Sequence, residues 1–153
     1  MRLLILALAV ATAHLAVAGK DDAEARKKLV GIWKGRVDEG ATGHLLKITA
    51  SAITGRKDGR QDLGAGTFKL DLTTKPWRMD ATRTKGPQKG QTYLGIYSLE
   101  GDTLKWCVSL PGSARPTELA TKDAQFLLIL KRQKEKAKQV KEASAEASVS
   151  SRS

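Results

Sequence analysis

The chain has 153 residues, 27 Lys and Arg against 16 Asp and Glu, a formal net charge of +11 and a single cysteine. That length suits one domain with one hydrophobic core. A lone cysteine excludes an intramolecular disulfide, and the absence of asparagine excludes N-linked glycosylation.

Residues 1–18 read as a signal peptide. Arg2 gives a short positive start, an apolar run follows, and Ala16-Val17-Ala18 fits the small-x-small rule for cleavage. The run is interrupted by His14 and falls short of the roughly 20 apolar residues that a spanning helix needs. No cysteine follows the cleavage point, which argues against a lipid anchor. The expected location is therefore periplasmic or extracellular. Residues 19–28, "GKDDAEARKK", form a charged lead-in with the composition of a helical turn or more.

Beyond the signal segment, residues 29–132 carry nearly all the large apolar and aromatic side chains, in short runs bounded by Gly, Pro or charge. Candidate strands are 31–37, 44–50, 52–56, 66–72, 77–83, 92–99, 103–110 and 125–132. Turn signals separate them: "KDGR", "TKP", "KGPQKG", "EGD" and "LPGSARP". About eight consecutive strands without a crossover helix predict an all-β, antiparallel up-and-down barrel, the closed form that leaves no exposed edge. In "GIYSLEGDTLKWC", a two-residue Gly101-Asp102 turn would set Leu99 opposite Leu104 and Tyr97 opposite Trp106, with Gly95 diagonal to the indole. A three-residue loop would instead swap the faces of one strand. Residues 133–153 form a basic, low-complexity tail in which Val140 and Val149 are the only large apolar side chains, so this segment cannot bury enough surface to fold alone. It can contact anionic surfaces weakly. Without aromatics for base stacking, and with export expected, nucleic acid is not an expected partner.

"LVGIW", "FKLDLTTKPWRMD", "GIYSLEGDTLKWC", "ARPTEL" and "LLILKR" occur in this order. The set resembles an uncharacterised domain of about a hundred residues found in secreted and multidomain proteins of planctomycete bacteria. The resemblance covers about 29 to 132. Leu119 and Trp106 depart from the family's usual residues, which implies altered packing. The resemblance implies a lipocalin-like fold and supplies no catalytic residues. "GIW" also resembles the Gly-x-Trp entry motif of lipocalins. This likeness implies that Trp33 closes the barrel floor and that Arg132, at the end of the last strand, lies across its ring. Such a cation–π contact contributes roughly 0.5–2 kcal/mol.

Little in the chain points to catalysis. Beyond the signal segment His44 is the one histidine, and no signature surrounds either it or Cys107, so a Cys–His pair lacks an orienting third group. Cys107 reads as a buried structural thiol, with an intermolecular disulfide as the alternative. No three or four residues have the spacing of a zinc site, and "GPQKGQT" lacks the P-loop spacing. The expectation is a non-enzymatic, monomeric protein without metal or cofactor. Pro116 stiffens "SARPTE". Within it, Arg115 and Glu118 either pair to staple the loop or form a ligand site in which Arg115 recognises an anion at the barrel mouth.

Two functions from different classes follow. One is an exported module that binds a small anionic ligand at the barrel mouth. The other is a structural or interaction module that meets an envelope protein and has a filled barrel. They differ in the interior, because a binder needs small side chains there and a persistent cavity. Export makes one outcome measurable. Intact-mass analysis of protein recovered from the envelope fraction should show a chain that starts at Gly19, and a membrane-integrated product retaining Met1 would overturn that reading.

Overall fold

The computed structural model describes residues 14–38 and 40–134. One helix, α1 (His14–Leu29), precedes nine strands: β1 (Gly31–Val37), β2 (Ala41–Ile48), β3 (Ala52–Lys57), β4 (Gln61–Asp71), β5 (Trp77–Arg83), β6 (Thr92–Tyr93), β7 (Gly95–Glu100), β8 (Thr103–Ser109) and β9 (Gln125–Arg132). Eight of them close an antiparallel up-and-down barrel, in which each strand pairs with its chain neighbours and β9 returns to β1. The extra strand, β6, pairs with β5 on the same side as β7. The candidate segment 92–99 is thus divided between β6 and β7.

The hairpin of β7 and β8 has the two-residue turn. Tyr97 faces Trp106, Leu99 faces Leu104 and Gly95 faces Val108. Gly101 takes the positive φ, +56°, that the first central residue of such a turn requires. Strand β4 starts earlier than its apolar pattern suggests, because Gly64, Ala65 and Gly66, and Asp62 past a register shift at Leu63, continue the ladder with β3 despite weak strand propensity.

The lower half of the barrel is solid. Leu29, Trp33, Ile48, Met79, Leu104 and Leu130 are buried there, with Phe68 and Tyr97 beside them. The Tyr97 ring lies 5.7 Å from that of Trp77. Burial pushes its phenol up to about 12, with the charge of Asp22 adding to the effect.

The lead-in is helical throughout and packs against this half. Arg26, Lys27 and Lys28 sit in the last turn of α1, where cations oppose the partial negative charge of the helix end. The Arg26 guanidinium lies 4.7 Å from the centre of the Phe68 ring, and donates to Asp22 at 2.7 Å and to the Ala50 carbonyl at 3.1 Å. A helix end leaves carbonyls without intrahelical donors. Here the Trp33 indole N–H donates to the Leu29 carbonyl at 2.8 Å, and Arg132 donates to the carbonyls of Lys28 and Val30.

The same guanidinium lies 4.2 Å from the Trp33 ring centre and donates through Nε to Asp102 in the β7–β8 turn. Gly31 makes the approach possible, since a Cβ there would stand 2.8 Å from an Arg132 nitrogen. The Trp33–Arg132 stack is therefore present and is also a cap for α1.

Trp33→Ala should destabilise the fold by about 3–5 kcal/mol, the range for a large core truncation. Arg132→Ala should cost less. Denaturant unfolding of both single variants and the double variant should show coupling, whereas additive losses would mean the stack contributes nothing of its own.

Candidate functional site

The upper half of the barrel is hollow. A cavity of about 410 Å³ opens there. Alternation along each strand places its wall: Leu46 and Ile53 below, Val108, Phe126 and Leu128 on one side, and Gly55, Gly64, Gly66 and Ala81 on the other. The small residues create the space, because Gly55 of β3, Gly64 and Gly66 of β4 and Ala81 of β5 present almost no side-chain volume where they line it. Trp106 separates the hollow half from the solid half, since it lines the cavity and belongs to the core cluster.

Two basic side chains line the cavity, His44 and Arg83. Arg83 ends β5 at the mouth. Its guanidinium carbon lies 5.6 Å from the centre of the Tyr93 ring. On the other side it lies against Gly64, where a Cβ would come within 2.5 Å of an Arg83 nitrogen. Gly64, at φ +111°, thus leaves room for the cation to lie across bare backbone. Among the described residues no carboxylate pairs with Arg83. Tyr93 is held in turn by a 2.7 Å hydrogen bond from its hydroxyl to Gln88.

Below the mouth the wall has a gap. β5 and the β6–β7 pair keep one register, but their ladder is interrupted where Met79 and Asp80 meet Leu94 and Gly95. Side chains take up the backbone groups there. The Gly95 N–H donates to Asp80 at 3.1 Å, the Gly95 carbonyl accepts from Arg115 at 2.9 Å, and the Met79 carbonyl accepts from the Trp106 indole at 3.0 Å. Arg115 also holds Asp80 in a two-point ion pair, with Nη2 to Oδ2 at 2.8 Å. The hydrogen bonds that Arg115 donates to Asp80 raise the pKa of its guanidinium further, so it stays charged. Gly95 is required at this point, because a Cβ would lie 2.5 Å from the indole nitrogen and 2.6 Å from the Met79 carbonyl.

Arg115 and Glu118 are therefore not brought together. Arg115 seals the wall from outside, Glu118 pairs with Lys122, and neither lines the cavity. The loop that carries them, residues 110–124, lies over the outer face of β7 and β8. Pro116 is buried in it. Beneath it Cys107 is fully buried, and its thiol donates to the Ala120 carbonyl at 3.3 Å. Burial raises the thiol's pKa, which disfavours the nucleophilic thiolate. His44 lines the interior, so the barrel wall stands between it and Cys107. Among the described residues no three of His, Cys, Asp and Glu gather in a metal-binding group, and no helix is long and apolar enough to cross a membrane.

Sequence reasoning missed Arg83, Gly64 and Ala81. A signal was present: Gly55, Gly64, Gly66 and Ala81 fall on inward positions of neighbouring strands, which marks a thin-walled interior once the strands are in register. Comparison with known proteins finds no family model, no curated protein and no solved structure that matches this chain.

The seam predicts an order of effects. Arg115→Ala leaves the Gly95 carbonyl and Asp80 short of partners in a partly buried site, and should cost about 1–3 kcal/mol. Asp80→Asn keeps an acceptor for Gly95 and should cost less. Gly95→Ala should cost the most of the three, because a Cβ there would collide with the buried Trp106 indole and with the Met79 and Cys107 carbonyls together. Denaturant unfolding of the three variants checks that order.

Proposed function

We propose that this protein is an exported, non-enzymatic binding module, and that its ligand is a small molecule with an apolar body and one anionic group. The observation that carries this reading is the 410 Å³ cavity with Arg83 at its mouth. Its volume falls within the range of roughly 300–1,000 Å³ common for small-molecule sites. The apolar walls favour an apolar body by removing its surface from water. Arg83 offers a planar fork of donors at the open end, where an anionic group keeps part of its hydration. The small inward side chains of β3, β4 and β5 support a binder over a module with a filled barrel, whose requirement is met in the lower half alone. The resemblance to a secreted planctomycete domain agrees with export, as does Ala16-Val17-Ala18.

The proposal moves the anion-recognising role from Arg115 to Arg83. Arg115 already has a carboxylate partner and serves the wall.

A calorimetric and thermal-shift screen against small aliphatic and aromatic carboxylates tests the reading, with Trp106 fluorescence as a reporter inside the cavity. Binding should raise Tm in the wild type. Arg83→Gln should weaken it by about 10- to 100-fold, the loss of a charge-assisted hydrogen bond. Ala81→Leu should abolish it by filling the cavity while the protein stays folded. Binding that survives both substitutions would discard the site.

A further inference from the structure

Charge is divided between the two sides of the barrel. β1, β2, β3, β8 and β9 contain no Asp or Glu, whereas β4, β5 and β7 hold Asp62, Asp71, Asp80 and Glu100. The acid-free strands are contiguous, in the order β3-β2-β1-β9-β8. Their outward positions carry Lys34, Arg36, Lys47, Arg56, Lys105 and Lys131.

The pairing sets these cations out in rows. Arg56, Leu45, Lys34, Lys131 and Thr103 lie across the five strands in one row, and Arg36, Ile129 and Lys105 lie in the next. Lys34 stands directly opposite Lys131, an arrangement that costs stability because like charges face each other. Half-buried Ile32, Leu45 and Ile129 lie between the cations. Among the described residues none of the six cations is paired with a carboxylate.

We infer that this face docks on an anionic lipid bilayer. The rows run about 20 Å around the wall at the usual strand spacing of about 4.8 Å. Because five of the eight barrel strands span more than half the barrel, the part that meets a flat bilayer is centred on β2, β1 and β9, with Lys34 and Lys131 at its middle. Aliphatic side chains lie among the cations, Leu45 between Arg56 and Lys34 and Ile129 between Arg36 and Lys105, and the five strands have no outward aromatic on which a base could stack. A laterally repeating array of anionic headgroups above acyl chains complements both the cations and the aliphatic side chains. A soluble polyanion would meet the cations and leave Ile32, Leu45 and Ile129 unused. The chain beyond β9 leaves from the same face, where the Gln133 N–H bonds the Ile32 carbonyl at 2.7 Å. The sequence that follows adds Lys134, Lys136, Lys138 and Lys141. The inference is independent of what the cavity holds.

The test uses the full chain in co-sedimentation with vesicles of phosphatidylcholine alone, or of phosphatidylcholine mixed with phosphatidylglycerol. Binding is expected only to the anionic vesicles, and should weaken as salt rises. Lys34→Gln with Lys131→Gln should lower vesicle affinity by roughly 25-fold, at about fivefold for each basic residue. The same pair of changes should raise Tm, which shows that the variant is folded and that the repulsion is real. Ile129→Ser should also weaken binding, while Lys69→Gln on the opposite wall should leave it unchanged. Vesicle binding unaffected by the Lys34 and Lys131 changes would overturn the inference and assign any attachment to the basic tail. Retention on heparin without binding to anionic vesicles would overturn it in favour of a soluble polyanion.

Discussion

The knot at the barrel floor sets the terms for everything above it. Arg132, the last residue of the last strand, lies on Trp33 of the first strand, donates to carbonyls at the end of α1 and reaches Asp102 in a turn between two other strands. One planar guanidinium thus ties the closing pair of strands, the helix and the β7–β8 hairpin. The five donors of arginine are what make this possible, and lysine could satisfy only part of the set. With the floor closed this way, the hydrophobic core can concentrate in the lower half. The upper half is then free of packing duty, and its walls can be built from glycine and alanine.

Fold and site differ in how far the residue order reveals them. β1, β5 and β9 begin and end where Gly, Pro or charge interrupts the apolar run, and the chain alone marks those limits. The β7–β8 register was also legible, because Gly101-Asp102 selects a short turn and the turn fixes the pairing. The start of β4 was hidden, since Gly64-Ala65-Gly66 has the composition of a loop. Helix α1 lacks an apolar stripe in its charged part and holds the barrel through Arg26 and Leu29, so hydrophobic periodicity does not reveal its length. The cavity suffered the same fate as β4. Its defining residues are those with the least side chain to read.

The partner of Arg115 shows a second kind of limit. Glu118 is near in sequence and supplies the simplest local pair. Asp80 is 35 residues away, and only the closed barrel brings it to the strand gap. The pairing is decided by unmet backbone groups at Gly95, which no pattern of charges along the chain records. Trp106 depends on the same gap. Its indole N–H meets a carbonyl that regular pairing would have supplied with a donor.

The interrupted ladder has a mechanical consequence. Along most of the wall the strands are joined by peptide-to-peptide bonds, but at Met79 and Gly95 the closure passes through three side chains. The Trp106 indole touches that stretch while it lines the cavity, and the Arg115 guanidinium touches it beneath the outer loop. The peptides between them are one layer thick. A push on the indole from inside and a pull on residues 110–124 from outside therefore bear on the same few backbone atoms, and the barrel carries a meridian along which its two surfaces are joined as a single lever.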